Sequence, residues 1–243
     1  MDGSRSVGEV EVVVVKRIFF CGDTHGQFGH IIRAVQAHRP ASIVLLGDVQ
    51  PQEPLEVVLR PILGLSEVWW IHGNHDTDSD ADYDHLFGSA LADQNLHGRV
   101  VEIAGVRIAG LGGIFRGQVW PAPGPPRYRS AGEFLAQCGK GNHWRGSLPR
   151  KHRSSIFPSD YYSLLREKAD ILVTHEAPSC HPHGFVAIDE LAGGLGVQSA
   201  YHGHHHEHTE YGDEEIDRLG FRPFGVAYGE IRDELGHVVE DKG

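Results

Sequence analysis

The sequence predicts an α/β protein built on a largely parallel sheet. Three observations carry this. Segments rich in β-branched and aromatic residues recur at 10–23, 41–48 and 67–76. Helical apolar patterns separate them, and strand–helix–strand alternation at this spacing points to βαβ units. The 243 residues are 40% hydrophobic, enough for one sizeable core.

Each element has a local reason. "VEVVVVKRIFFCGD" (10–23) reads as one or two buried strands ending in Gly-Asp. Residues 27–38 place Phe28, Ile31, Ile32 and Val35 at helical spacing. "ASIVLLGD" (41–48) is a second strand, and 54–64 is helical with Pro61 as a break. "EVWWIHGNHD" (67–76) is a third strand, followed by a short helix over 79–90. Residues 98–113 predict a hairpin turning at Ala104-Gly105. From 114 to 157 the chain is rich in Gly, Pro and Arg without periodicity, which reads as a long insertion over a surface or cleft. Ser159 offers an N-cap for a helix to 169, leading into the strand "DILVTHEAP" (170–178). Residues 221–231 and 236–240 read as closing strands. The whole, 1–243, reads as one domain carrying the 114–157 insertion.

Composition narrows the function. The formal charge of −11 argues against a broad nucleic-acid surface. No apolar run approaches the roughly 18–20 residues of a membrane span, and the N-terminus lacks the apolar core of a signal peptide. Cys21, Cys138 and Cys180 form no CxxC and are odd in number, so a reducing cytoplasm is the expected location. The charge is uneven. Residues 116–153 hold eight Lys/Arg against the single acid Glu133, interleaved with Trp120, Tyr128 and Trp144. A solvated loop, a nucleic-acid contact with stacking aromatics, or a lid over a phosphorylated substrate all fit that pattern.

The predicted strand ends carry the chemistry. They present Asp23 and His25 in "GDTHG", Asp48 in "GDV", Asn74 and His75 in "GNHD", His175 in "THEAP", and the "GHHH" of 203–206. Ligands bind at the carboxyl ends of strands in open α/β sheets. Glycines before Asp23, Asp48 and Asn74 suit tight turns beside a bound ion. Mixed carboxylate, imidazole and amide donors suit Mn²⁺, Fe or Zn²⁺ better than an all-oxygen Ca²⁺ cage. Two such ions about 3.5–4 Å apart can hold a phosphate and activate water.

These five motifs, in this order, resemble the calcineurin-like metallophosphoesterase superfamily, and more distantly the protein Ser/Thr phosphatases within it. The resemblance implies a four-layer αββα sandwich with two mixed β-sheets and a dinuclear metal site at the strand C-termini. It implies hydrolysis of a phosphomonoester or phosphodiester by in-line attack of a metal-bridging hydroxide. Carried over by position, Asp23, His25 and His206 hold one metal, Asp48 bridges, and Asn74, His175 and His204 hold the other. His75 protonates the leaving oxygen or stabilises the transition state. The expected substrate is a phosphorylated small molecule, a nucleotide or a phosphoprotein. Alternatives are a Ser/Thr phosphatase-like enzyme and a catalytically silent, metal-bound interaction module.

Departures from the Ser/Thr phosphatases are specific. "GDVQPQE" and "HGNHD" stand where those enzymes have "GDxVDRG" and "RGNHE". Both phosphate-clamping arginines are absent, and Pro51 occupies the place of the carboxylate that supports the catalytic His. Arg116, or another Arg of the insertion, is the candidate substitute for the phosphate clamp. "DTDSDADYD" (76–84) fails as an EF-hand, because Ala81 replaces the required Gly and Phe87 the closing Glu. It reads as a solvated acidic stretch at a helix N-terminus. In "AYHGHHHEH" (200–208) the resemblance makes His204 and His206 ligands. His205 then points away, and His202 and His208 are neighbours.

Overall fold

The computed structural model describes residues 17–240. Two five-stranded sheets are built from β1 (Ile18–Cys21), β2 (Ser42–Leu46), β3 (Glu67–Ile71), β4 (Arg99–Ile103), β5 (Val106–Leu111), β6 (Ile171–Thr174), β7 (Ser199–His202), β8 (Arg222–Gly225), β9 (Ile231–Asp233) and β10 (Val238–Glu240). The first sheet runs β10-β9-β1-β2-β3 and the second β4-β5-β6-β7-β8. Both are mixed. β1, β2 and β3 are parallel and β9 runs against β1. β5 through β8 are parallel and β4 runs against β5.

Strand alternation builds the layers. Successive side chains point to opposite faces. Ile18, Phe20, Val44 and Leu46 therefore face inward, where they meet Ile108, Val173 and Tyr201 of the second sheet. Phe20 stacks on Tyr201 with ring centroids 3.9 Å apart. The alternate residues Phe19, Cys21, Ile43 and Leu45 face outward, against α1 (Gly29–His38), α2 (Leu55–Val58) and α3 (Asp80–Phe87). The outer face of the second sheet packs on α5 (Pro158–Leu164) and α6 (Val186–Leu195). The central strands β1, β2 and β6 are thus covered on both faces, which explains their continuous apolar runs. The result is the four-layer αββα sandwich.

Several boundaries differ from the sequence reading. Residues 10–16 of the first predicted strand lie outside the described residues. The helix over 54–64 shrinks to α2, because Pro61 cannot continue it. Ser159 is not an N-cap. Phe157 takes that place and Pro158 starts α5, where its missing N–H costs nothing. The segment 221–231 splits into β8 and the start of β9. The 98–113 hairpin turns at Ala104-Gly105, both at positive φ. No helix among the described residues is long and apolar enough to cross a membrane.

The segment 114–157 is not a solvated loop. It contains α4 (Ala131–Gln137), capped by Ser130, whose hydroxyl accepts from the Glu133 N–H at 3.1 Å. Val119, Trp120, Ile156 and Phe157 bury themselves in the outer core with α5 and α6. Trp120, 6% exposed, meets Tyr161 edge-on at 5.1 Å. It is a packing residue and offers no stacking face to a base.

Candidate metal centre

The loops after β1, β2, β3, β6 and β7 converge at one end of the sandwich, three from the first sheet and two from the second. Donor atoms of Asp23, His25, Asp48 and His206 lie within 4.8 Å of one another, as do those of Asp48, His175 and His204. Asp48 belongs to both groups. Asn74 Oδ1 is 3.3 Å from His175 Nε2. All seven residues named from the sequence as ligands therefore meet in one place.

Backbone geometry sets this convergence apart from chance. Among the described residues, eight non-glycines have positive φ, and four of them are His25 (42°), Asp48 (47°), His204 (73°) and His206 (58°). Such conformations cost about 1–3 kcal/mol each and persist only where the surroundings over-determine them, typically at functional sites. Two glycines make room for the donors. A Cβ on Gly73 would stand 2.2 Å from Asp48 Oδ1, and one on Gly203 would stand 2.3 Å from Asp23 Oδ1. Any side chain there would displace a carboxylate.

Hydrogen bonds aim the rings. His175 Nδ1 donates to the Leu46 carbonyl at 2.9 Å, which turns Nε2 toward Asp48 Oδ2 at 3.4 Å. His25 Nδ1 donates to Gln50 Oε1 at 2.7 Å, which turns its Nε2 inward. Metal-ligating histidines commonly anchor their second nitrogen in this way. His25 Nε2 and His206 Nε2 face each other at 3.0 Å, and His206 Nε2 lies 3.1 Å from Asp23 Oδ2. Two imidazole nitrogens and a carboxylate pointing at one spot are a donor set suited to a divalent cation.

Electrostatics agree. Burial opposes charge on both Asp48 and His175, but their attraction outweighs it. Asp48 is held below the usual carboxylate range and His175 above the usual imidazole range. Ligation through Nε2 requires the neutral ring, so a cation held there would displace this proton. Burial, with the His175 charge, pushes His204 down to about 4, leaving it neutral and ready to ligate.

His75 lies beside the ligands, its ring centroid 5.7 Å from that of His25. Its backbone N–H donates to Asp48 Oδ1 at 2.8 Å, and its Nδ1 lies 2.5 Å from Asp78 Oδ2. Partial burial works against the charged ring. The bond to Asp78 and the charge of Asp48 outweigh it, so the pKa of His75 is raised. His75 thus has a carboxylate partner in Asp78, three residues on, although Pro51 stands where the resemblance expects one. Asp76 also escapes a reading of the sequence. It is buried, accepts from the Val49 and Gln50 N–H groups at 2.8 and 2.9 Å, and from the Gly73 N–H at 2.8 Å. It clamps the loop after β2 to the loop after β3. Burial, with the Asp48 charge, raises its pKa to about 7.

"DTDSDADYD" has Asp76 and Thr77 buried, but Asp78, Asp80 and Asp84 are exposed around the N-terminal half of α3, as expected, and they also find partners across the chain. Asp80 and Asp84 bind Arg145, and Asp80 also binds Arg150. These exposed pairs tie the acidic run to part of the basic insertion. Arg116 lies outside both donor groups, half-buried, and gives one terminal N–H to Ser154 Oγ at 3.1 Å. Its Nε is buried with no partner among the described residues. Burial lowers its pKa, while nearby Asp78 and Glu176 counter that.

The histidine cluster divides. His205 turns away and stacks on His181 at 3.8 Å. His202 is buried and bonds the Tyr211 hydroxyl at 2.9 Å. His208 pairs with Glu230 at 2.7 Å.

Comparison with known proteins places the chain in a family. The chain is 41% identical over 215 residues to an uncharacterized protein of Haemophilus influenzae, covering 87% of this chain and 94% of that one. Its fold is similar to TT1561 of Thermus thermophilus with a TM-score of 0.57 at 11% identity, covering 92% of this chain and 96% of that one. The family model for calcineurin-like phosphoesterases matches residues 16–208, and the chain belongs to that family.

Proposed function

We propose that this protein is a phosphoesterase that uses two divalent metal ions to hydrolyse a phosphomonoester or phosphodiester. The observation that carries the reading is the pair of donor groups sharing Asp48, with His75 at their edge. Asp23, His25, Asp48 and His206 would hold one ion, and Asp48, Asn74, His175 and His204 the other. Mn²⁺, Fe and Zn²⁺ all suit this mixture of oxygen and nitrogen donors. When bound, such ions supply Lewis acidity toward the phosphoryl oxygens and lower the pKa of a water molecule.

The chain's own residues supply the rest. Asp48, 1% exposed, keeps the two donor groups in register. His75 is half-exposed and hydrogen-bonded through Nδ1, which leaves Nε2 free to give a proton to the leaving oxygen. Asp78 fixes the tautomer and orientation of that ring. Arg116, close to Asp78 in charge, would neutralise a phosphoryl oxygen in place of the missing clamp arginines. A silent binding module would have no use for the His75–Asp78 pair, so catalysis is the better reading.

The test is an activity panel on protein reconstituted with Mn²⁺, Fe²⁺ or Zn²⁺. p-Nitrophenyl phosphate and bis-p-nitrophenyl phosphate are run side by side, with His75→Ala and Arg116→Ala as controls. Metal-dependent turnover that falls in both variants supports the roles given. No turnover with any metal would return the chain to the interaction-module reading.

A further inference from the structure

We infer that the insertion builds a second subsite, beside the metal centre, for the base and a distal phosphate of a nucleotide substrate. The inference rests on the phosphoesterase reading and narrows its substrate class. Of the eight cations at 116–153, Arg145 and Arg150 are engaged by Asp80 and Asp84, and Arg153 lies over the Tyr83 ring at 5.1 Å and bonds its hydroxyl. These residues fasten the insertion to α3 and are not free to meet a ligand. Arg127 and Lys151 are different. Both are exposed, and neither has a carboxylate partner among the described residues.

These two cations line one cavity of about 490 Å³, with Tyr128, Phe134, Asn142 and His152. That volume lies within the roughly 300–1,000 Å³ typical of small-molecule sites. Its aromatic side is continuous. Tyr128 meets Phe134 at 4.9 Å between centroids, and Phe134 meets His152 at 4.4 Å. Phe134 also packs on the buried outer core, so the wall is braced from behind. Aromatic rings next to unneutralised cations are the chemistry that holds a base and a phosphate. In a chain of net charge −11, two such cations in one recess are a local exception.

The cavity is linked to the candidate site through Arg150. Arg150 lines it and also donates to the Thr77 carbonyl at 3.1 Å and the Asp78 carbonyl at 2.5 Å. Asp78 in turn holds His75. On this inference the reacting phosphorus lies at the metal centre and the rest of the ligand crosses Arg150 to reach the recess. The recess is of nucleotide size, which favours a nucleotide over a phosphoprotein segment.

The experiment measures binding, not turnover. Mn²⁺-loaded protein is titrated with the β,γ-methylene analogues of adenosine and uridine triphosphate, and with methylenediphosphonate, which lacks the nucleoside. At least one nucleotide analogue should bind tenfold or more tightly than methylenediphosphonate. The double variant Arg127→Glu/Lys151→Glu should remove that advantage while affinity for methylenediphosphonate stays within about twofold. Tyr128→Ala should reduce it by about tenfold. The substituted positions lie at the surface of the recess, and unchanged circular dichroism checks the fold. Nucleotide analogues that bind no better than methylenediphosphonate, or an advantage that survives the double variant, would overturn the subsite. Hydrolysis of p-nitrophenyl phosphate is followed in parallel. Its absence, with the nucleotide advantage intact, would count against the phosphoesterase reading and leave the subsite standing.

Discussion

The strand-end loops and the 114–157 insertion both concentrate charge, and they use it in opposite ways. In the loops, donor atoms of Asp23, Asp48, His175 and His204 gather in two groups that share Asp48. Two buried carboxylates and strained backbone are gathered there. In the insertion, Arg145 and Arg150 point at Asp80 and Asp84, so the charges satisfy each other. The first arrangement is a donor set that suits an added divalent cation. The second makes sense as a fastening. Charge that the protein itself leaves unanswered is the better marker of function, and by that criterion Arg127 and Lys151 side with the loops.

Removing metal should separate the two regions most strongly. Chelation should abolish turnover, with recovery on Mn²⁺ addition. It should also lower the thermal midpoint by about 5–10 °C, since a ligand at 100 times its dissociation constant contributes about 2.7 kcal/mol to a chain of this size. A midpoint indifferent to chelator would break the claim that the loops await a cation.

His75→Ala should cost about 10²–10⁴-fold in turnover. Asp78→Asn should cost less, about 10–100-fold, the range for a group that orients another. Both losses should be larger for an alkyl phosphate than for p-nitrophenyl phosphate, whose leaving group needs little protonation. Equal losses on the two substrates would remove His75 from the role of acid.

What the sequence showed follows from distance along the chain. Strand ends lie at one edge of a sheet, so Asp23, Asp48, Asn74, His175 and His204 announce a shared site once the strands are recognised. The order of motifs did the same for the four-layer fold. Asp78 and Asp76 were missed because each acts through a partner that the motif does not name: Asp78 through the ring of His75, Asp76 through backbone of a neighbouring loop. The pairing of Asp80 with Arg150 crosses 70 residues, so two exposed charge runs, each legible alone, give no sign in sequence that they meet. α6 was not anticipated either, because Gly193 and Gly194 weaken its helical signal and burial of Ile188, Leu191 and Leu195 forms it instead.

His152 gives the insertion a pH effect of its own, beside that of His204 in the loops, which burial also depresses to about 4. His152 is buried against Phe134, and burial, with the charges of Lys151 and Arg116, depresses its pKa to about 4. Its unfolded value is near 6.5. Between these the unfolded chain binds the extra proton, so stability rises with pH from about 4 to 6.5 and is lost as pH falls through that window. His152→Gln should flatten this dependence in thermal unfolding. An unchanged slope would assign the acid lability to other groups.

The smallest effect concerns the fastening. Arg145 and its partners are solvent-exposed, and such pairs contribute little to global stability. Arg145→Glu should leave the thermal midpoint almost unchanged and raise protease cleavage within 120–150. Resistance equal to that of the parent chain would show that core packing of Trp120 and Phe157 alone holds the insertion.

The central claim is that Asp48 joins two metal groups. Metal content of Mn²⁺-reconstituted protein, measured by elemental analysis for the parent chain and for Asp48→Asn, tests it most directly. The account expects two ions per chain in the parent and a loss of at least one in the variant, with the fold retained by circular dichroism. Two ions per chain in Asp48→Asn, or none retained by the parent, would contradict it.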